Sequence, residues 1–121
     1  MIAVFDTNIV IDALNGIAEA DTEYQRYEQV LISRVTWMEV LAGEKGDDTK
    51  VRDFMETKFE IVPIDLDVSE VAVQLRRLHH IKLPDAIVMA TANVHKAELV
   101  TRDRDDFKSE WGGIRHPYVL P

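Results

Sequence analysis

The sequence contains no cysteine among its 121 residues, which excludes disulfide bonds and thiolate metal sites. No apolar run approaches the roughly 20 residues that a membrane-spanning helix needs, so we expect no membrane contact. Met1 leads directly into the apolar segment 2–5 without a charged leader, which favours a cytoplasmic location. The chain also lacks repeats and low-complexity linkers. These absences predict one domain over residues 1–121, long enough to form its own core.

Basic residues are in the minority, with 14 Lys and Arg against 22 Asp and Glu, a net charge of −8. This excess of acid disfavours sequence-independent adhesion to nucleic acid. A nucleic acid substrate remains compatible with it if the carboxylates converge on divalent cations and a local basic rim meets the substrate. Two clusters could form that rim or could be ordinary solvated surface: Arg76, Arg77, His79, His80 and Lys82, or Arg102, Arg104, Arg115 and His116.

Apolar periodicity and helix-ending signals predict alternating strands and helices. The predicted strands cover residues 2–5, 30–33, 59–64 and 99–101, with a last edge strand at 118–120. The predicted helices cover residues 8–14, 19–29, 36–43 with Thr36 as the cap, 47–58, 68–78 and 85–95. Because parallel neighbours need long crossover connections, the pattern predicts an α/β fold of three layers, α/β/α, with a mostly parallel central sheet of about five strands.

Four acidic residues fall at or just beyond the carboxyl ends of predicted strands, where open α/β sheets place their binding sites. They are Asp6 after the first strand, Glu39 in the helix after the second, Asp85 at the start of the helix before the fourth, and Asp103 after the fourth, with Asp105 and Asp106 beside it. Each alone has an ordinary explanation as a helix cap, a dipole partner or a solvated residue. If Asp6 binds a ligand, we expect Thr7 or Asn8 to cap the first helix instead.

Several carboxylates in close quarters oppose folding unless a cation joins them. Mg²⁺ or Mn²⁺ prefers oxygen ligands and is usually held by one or two carboxylates, with water and phosphate oxygens in the other positions. Such an ion activates water and neutralises the charge that develops on a phosphate. The joint placement of the four acids therefore indicates metal-dependent hydrolysis of phosphodiester bonds.

The same residues resemble the PIN-domain ribonucleases, and within them the VapC-like toxins of bacterial and archaeal toxin–antitoxin pairs. The resemblance runs from residue 2 to residue 107 and is carried by the segments VFDTNIVID, LISRVTWMEVLAG, LPDAIVMATA and LVTRDRDDF. It implies a PIN-like fold in which residues 1–121 form a single PIN domain. It also implies a homodimer or a toxin–antitoxin hetero-oligomer, with a VapB-like antitoxin whose C-terminal segment blocks the acidic pocket.

The resemblance further implies roles for individual residues. The acids Asp6, Glu39, Asp85 and Asp103 would surround one or two Mg²⁺ or Mn²⁺ ions, with Asp106 as a further acidic position. Supporting roles would fall to Thr7, Asn8 and Thr101. Our hypothesis is hydrolysis of single-stranded or looped RNA by metal-activated water: Asp6 and Asp85 ligate the principal ion, Asp103 and Asp106 complete or extend the site, and Glu39 ligates the ion or orients the water.

Three alternatives stay open at this point. A receiver-like signalling domain would use Asp65 as phosphoacceptor, but it needs an acidic pair after the first strand and a Lys after the last. A phosphatase would use Asp6 as nucleophile and Ser33 after the second strand, but it needs a second Asp where this chain has Asn8. A catalytically weak PIN domain would serve mainly as a binding module. Joint metal binding by His79 and His80 is disfavoured because adjacent helical residues point in different directions.

Overall fold

Short apolar segments form the strands of one sheet, and amphipathic segments form the helices that cover it. The computed structural model describes all of residues 1–121. The strands are β1 (Ile2–Phe5), β2 (Gln29–Ser33), β3 (Glu60–Val62), β4 (Glu98–Val100) and β5 (Ile114–Arg115). The helices are α1 (Thr7–Leu14), α2 (Ala18–Gln25), α3 (Arg34–Ala42), α4 (Thr49–Lys58), α5 (Leu66–His79) and α6 (Leu83–Val94), with a 3₁₀ turn at Ser109–Trp111.

The sheet has five strands in the order β3-β2-β1-β4-β5, and every neighbouring pair is parallel. The first strand lies at its centre, with Val4 paired to Leu31 of β2 and to Leu99 of β4. All five strands therefore end at the same edge of the sheet. The predicted α/β fold with a parallel sheet of about five strands is confirmed.

Alternate residues of each strand point to opposite faces, and each face has its own core. Val4 packs on one face with helices α5 and α6, while Ala3 and Phe5 pack on the other with α1 and α4. These three residues of β1 are fully buried. Burial on both faces explains why this strand is continuously apolar instead of alternating with polar residues. The same arrangement gives the three predicted layers.

The last strand is not where the sequence pattern predicted it. Residues 118–120 form no strand, and the final strand is instead Ile114–Arg115, paired with β4. Gly112 and Gly113 have positive φ angles of 82° and 71°, a backbone conformation that glycine adopts readily, and they turn the chain onto the edge of β4. Pro117 follows and has no N–H to continue a ladder.

Two helix boundaries also differ markedly from the prediction, whereas the other helix ends lie within two residues of it. Ser33, not Thr36, caps α3: its hydroxyl accepts from the Val35 amide at 3.1 Å, and Thr36 is buried inside the helix. The helix predicted to run to residue 29 ends at Gln25, because Tyr27 turns inward and donates its hydroxyl to Glu98 at 2.7 Å. Even the longest helix, α5 with 14 residues, falls short of what a bilayer crossing requires in length and apolar character.

Candidate active site

Asp6 lies directly after the central strand and is 7% exposed. One carboxylate oxygen, Oδ1, accepts from the Thr7 amide at 2.8 Å, and the other, Oδ2, accepts from Thr101 Oγ1 at 2.8 Å and Asn8 Nδ2 at 3.1 Å. Asp6 is itself the N-cap of α1, so the expectation that Thr7 or Asn8 would cap in its place is wrong. Because a carboxylate oxygen accepts about two hydrogen bonds, Oδ1 keeps room for a further partner.

Thr7 connects the first helix to Glu39 on α3. Its hydroxyl donates to Glu39 Oε1 at 2.6 Å and approaches the hydroxyl of Thr36 at 3.4 Å. The Glu39 backbone lies within the helix that follows β2, as the sequence predicted, and its side chain is exposed to solvent at the mouth of the site. This contact brings the second predicted carboxylate next to the first.

Asn8 fastens α1 to the loop that follows β4. Its amide Nδ2 donates to Thr101 Oγ1 at 3.2 Å, and its Oδ1 accepts from the Arg102 backbone amide at 3.0 Å. The Thr101 hydroxyl oxygen also accepts from the backbone amide of Asp103 at 3.0 Å. The three polar residues Thr7, Asn8 and Thr101 therefore surround Asp6 and tie it to the elements that carry Glu39 and Asp103.

Asp103 shapes its own turn. Its Oδ1 accepts from the backbone amides of Asp105 at 3.1 Å and Asp106 at 2.9 Å. The pKa of the Asp106 carboxyl is raised, first by its hydrogen-bonded contact with Asp103 and then by burial, while contacts with Lys82 and Asp85 act in the opposite direction. Asp85 lies half-buried in the first turn of α6. Together with Asp6 and Glu39, these three carboxylates form what we call the carboxylate pocket.

The electrostatics of the site follow from this crowding. Burial raises the pKa of Asp6 to about 6, against the hydrogen bonds from Thr101 and Thr7, and the charges of Glu39 and Asp103 raise it further. Burial also raises the pKa of Asp85 to about 6, and the surrounding carboxylates act in the same direction. The structure therefore brings all five predicted acids, Asp6, Glu39, Asp85, Asp103 and Asp106, within electrostatic reach of one another.

These residues fit a hydrated divalent cation. The donors are all oxygens, which hard cations prefer, and the charge they concentrate is not neutralised by any Lys or Arg bonded to Asp6 or Asp85. No group of three or more acidic or histidine side chains is arranged to hold one ion directly. Mg²⁺ commonly takes only one or two protein carboxylates and fills the remaining positions with water. The five carboxylates of this site can supply the one or two protein ligands that such an ion requires.

The second predicted basic cluster does not form a rim. Arg102 pairs with Asp12 at 2.7 Å, Arg115 pairs with Glu23 at 2.7 Å, and His116 contacts the Phe107 carbonyl. These three side chains are engaged by partners within the protein. Arg104 is the one member of this cluster that is exposed.

The first basic cluster lies at the end of α5 and before α6. His79 stacks on Trp111 with 3.9 Å between ring centroids, and Arg76 donates to the Ile81 carbonyl at 2.6 Å. Arg77, His80 and Lys82 are exposed and make no ion pair. We call the exposed basic side chains Arg76, Arg77, His80 and Lys82 the basic ridge. Because Lys82 directly precedes α6 and attracts Asp106, the ridge borders the carboxylate pocket.

Asp12 and Tyr118 lie beside the loop that follows β4, although the sequence pattern gave neither residue a role in the site. Asp12 is 5% exposed and accepts hydrogen bonds from Arg102 and Tyr118. The available signal was one acidic residue inside the apolar stretch IVIDAL of the first helix. A buried carboxylate in such a stretch requires partners, because isolated buried charge is strongly unfavourable.

Comparison with known proteins agrees with the fold and the motifs. A model of the PIN domain family matches residues 3–109. A chain of a toxin–antitoxin complex from Klebsiella pneumoniae is 42% identical with a TM-score of 0.86, and the match covers 98% of this chain and 99% of that one. Among curated proteins, none matches this chain.

Two more distant structures share the fold. FitAcB from Neisseria gonorrhoeae is 22% identical with a TM-score of 0.75, covering 99% of this chain and 100% of that one. VapBC2 from Rickettsia felis, bound to a DNA fragment from its promoter, is 21% identical with a TM-score of 0.75, covering 89% and 92%. The family-model match over most of the chain, and the close match in K. pneumoniae, confirm the resemblance: this chain belongs to the PIN-domain family.

Proposed function

We propose that this protein is a metal-dependent endoribonuclease that acts in the cytoplasm as the toxin of a toxin–antitoxin pair. It hydrolyses RNA phosphodiester bonds with Mg²⁺ or Mn²⁺ as cofactor. The observation that carries this proposal is the convergence of five carboxylates, including that of the buried Asp6, at one edge of the sheet. Membership of the PIN-domain family, whose members are nucleases, supports the same reaction class.

Asp6 and Asp85 would hold the principal ion, and Asp103 and Asp106 would complete or extend the site. When bound, a divalent cation lowers the pKa of water and neutralises negative charge on the phosphate. Thr101 and the Thr7 amide hold the Asp6 carboxylate rigidly, so that its free lone pair on Oδ1 points in a fixed direction. Because this acid directly follows the central strand, the sheet fixes the position of its backbone.

Glu39 would ligate the ion or orient the attacking water. Its contact with Thr7 at 2.6 Å fixes one carboxylate oxygen and leaves the other to accept a proton or a hydrogen bond from water. Its exposure at the mouth of the pocket suits a group that meets incoming water. No Ser, Cys or His occupies the pocket as a nucleophile, and water is the reactant that the arrangement favours.

RNA is the substrate that we infer, in single-stranded or looped form. An acidic protein of net charge −8 needs a local cationic surface to hold a phosphate backbone. The basic ridge supplies one, and it borders a cavity of about 540 Å³ lined by Val73, Arg76, Arg77, His80 and Leu83. A strand bound along the ridge would enter the carboxylate pocket past Lys82, which precedes Asp85 in the chain.

A cognate VapB-like antitoxin is the inferred protein partner, with a C-terminal segment that covers the pocket. The similar chain from K. pneumoniae comes from a toxin–antitoxin complex, which supports this proposal. We also propose that the chain forms a homodimer, alone or within a toxin–antitoxin hetero-oligomer. Co-expression with a small DNA-binding protein from the neighbouring reading frame, followed by size-exclusion chromatography with light scattering, tests both. A strictly monomeric chain that does not bind such a protein would contradict both proposals.

No observation favours the receiver or phosphatase alternatives. Asp65 accepts from the Val68 amide at 2.9 Å as the N-cap of α5, beside the edge strand β3. Ser33 caps α3, and Asn8 is an amide whose side chain orients Asp6. Asp65 and Ser33 are therefore engaged in helix capping, and the second Asp that a phosphatase needs is absent.

The direct test is digestion of mixed RNAs by the purified protein with Mg²⁺ or Mn²⁺, with the cleaved positions mapped from their ends. We expect internal cleavage that EDTA stops and that Asp6→Asn abolishes. Undiminished cleavage by Asp6→Asn would overturn the assignment of the site. Absence of cleavage by the wild-type protein on every RNA tested, with antitoxin binding intact, would favour the binding-module alternative.

A further inference from the structure

Asp12, Arg102 and Tyr118 form a hydrogen-bonded cluster beside the carboxylate pocket, and we call this cluster the anchor. Its Oδ2 accepts from Arg102 Nε at 2.7 Å and from the Tyr118 hydroxyl at 2.7 Å, and its Oδ1 accepts from Arg102 Nη2 at 3.1 Å. The Asp12 side chain is 7% exposed and that of Arg102 is 30% exposed. Three donors therefore converge on one carboxylate that the solvent barely reaches.

Arg102 is attached to α1 at two points. Its side chain reaches Asp12, and its backbone amide donates to Asn8 Oδ1 at 3.0 Å, one helical turn earlier on the same face. The residues on either side of it are Thr101, which donates to Asp6, and Asp103. Fixing Arg102 against the helix therefore fixes where the next residue, Asp103, lies relative to Asp6.

Close packing does not hold this loop from its outer side. A cavity of about 390 Å³ separates residues 102–105 from the C-terminal residues 118–120. Tyr118 crosses that gap with its hydroxyl on Asp12, so the C-terminal segment is tied to the same anchor. With open space on one side, the loop has room to move away from Asp6 once the anchor is released.

We propose that Asp12 is a positioning residue for divalent-cation binding: through Arg102 it holds the loop that carries Asp103 beside Asp6. This inference rests on the proposed function, because it assigns a purpose to the loop position only if the pocket takes a cation. Asp12 itself does not touch the ion. Loss of the Asp12 carboxylate would allow the loop that carries Asp103 to move away from Asp6. The affinity of the pocket for the ion would then fall.

A purely structural role is the competing explanation, and the chain contains a matched control for it. Glu23 on α2 is 4% exposed and accepts from Arg115 Nε at 3.0 Å and Nη2 at 2.7 Å. The Tyr27 hydroxyl, which donates to Glu98 at 2.7 Å, lies 3.5 Å from Glu23, so a tyrosine hydroxyl also adjoins this carboxylate. The two clusters thus have similar chemistry and burial, but no side-chain hydrogen bond of the Glu23 cluster reaches the loop 101–103 or Asp6. The backbone carbonyl of Arg115 accepts from the Thr101 amide at 3.1 Å, and this backbone contact does not involve the Glu23 side chain. Loss of either cluster should lower the melting temperature by a similar amount.

The experiment measures Mn²⁺ binding by isothermal titration calorimetry, together with the Mn²⁺ concentration for half-maximal RNA cleavage. The variants are Asp12→Asn and Glu23→Gln. We expect Asp12→Asn to bind Mn²⁺ about tenfold more weakly, the low end of what loss of residues supporting a metal ligand causes. We expect saturating Mn²⁺ to restore much of its cleavage rate, and Glu23→Gln to match the wild-type affinity.

A second variant protects the test against misfolding. If Asp12→Asn does not fold, Asp12→Asn/Arg102→Ala removes both partners and leaves no unpaired buried charge, and the same loss of affinity is expected. Wild-type Mn²⁺ affinity in whichever variant folds, or an equal loss in Glu23→Gln, would overturn the positioning role while leaving the nuclease assignment intact. A wild-type protein that binds no Mn²⁺ and cleaves no RNA would overturn the proposed function itself.

Discussion

Replacing Asp6 by asparagine should change how the stability of the metal-free protein depends on pH. Burial raises the pKa of Asp6 from 3.8 to about 6 in the folded protein. Between these values the folded state binds more protons than the unfolded chain, so its free energy of unfolding falls as the pH rises. The charge on Asp6 is therefore expected to destabilise the wild-type protein at neutral pH. This destabilisation disappears below pH 4, where the carboxyl is protonated. An asparagine does not titrate and removes the effect.

The magnitude follows from the size of the shift. A shift of this size corresponds to about 3 kcal/mol in total, of which about 2 kcal/mol is expected between pH 4.5 and pH 7.5. No large correction for solvent screening applies, because Asp6 is only 7% exposed. Asparagine also loses one of the three hydrogen bonds that the carboxylate accepts, but this loss is the same at each pH. The change in the difference between the two proteins therefore reports the Asp6 charge together with its repulsion of neighbouring carboxylates such as Asp85.

The assay is urea unfolding in EDTA at 25 °C and several pH values, followed by the fluorescence of Trp37 and Trp111. The free energy of unfolding of Asp6→Asn minus that of the wild type should increase by about 2 kcal/mol from pH 4.5 to pH 7.5. At pH 7.5, Mn²⁺ at one hundred times its dissociation constant should stabilise the wild type by about 2.7 kcal/mol and Asp6→Asn far less. Parallel pH curves for the two proteins would refute the idea that the buried acid is left uncompensated without an ion.

Three further predictions concern the site, its rim and the core. Thr7→Val removes the donor to Glu39 and should lower the cleavage rate at saturating Mn²⁺ by about tenfold, whereas Thr7→Ser should keep it; equal rates would contradict the role of this contact. Arg77→Glu on the basic ridge should raise the KM for RNA and reduce the slope of log affinity against log salt by about 1, and an identical effect of Lys50→Glu on α4 would show that only net charge matters. Ile32→Ala in the central sheet, where the side chain is fully buried, should lower the free energy of unfolding by about 2 to 5 kcal/mol in urea titrations; a loss below about 1 kcal/mol would be inconsistent with the packing described.

The sheet was predictable because its strands are buried on both faces. The run Ile2–Phe5 is continuously apolar, as expected of a parallel strand that is buried on both faces. The error at residues 118–120 has a clear cause: these residues are apolar, but pairing depends on where Gly112 and Gly113 turn the chain, and periodicity does not report that. Ser33 and Thr36 both have hydroxyls suited to capping, and the end of β2 decides between them.

The carboxylate pocket was predictable for a different reason. Asp6 and Asp103 each follow a strand, and parallel strands deliver such residues to one edge whatever their separation in sequence. The anchor was not predictable in this way. Tyr118 and Asp12 lie 106 residues apart, and their hydrogen bond depends on the path of an irregular C-terminal segment. Likewise, the sequence does not show that Arg102 forms an ion pair whereas Arg77 is exposed; the structure does.

The carboxylate pocket is tested most directly by comparing Mn²⁺-dependent cleavage of end-labelled RNA by the wild type, Asp85→Asn and Asp65→Asn. Both aspartates lie at the start of a helix, but Asp85 belongs to the carboxylate pocket and Asp65 only caps α5. We predict cleavage by the wild type and by Asp65→Asn, and none above the EDTA background by Asp85→Asn. Cleavage by Asp85→Asn at the wild-type rate would contradict this prediction.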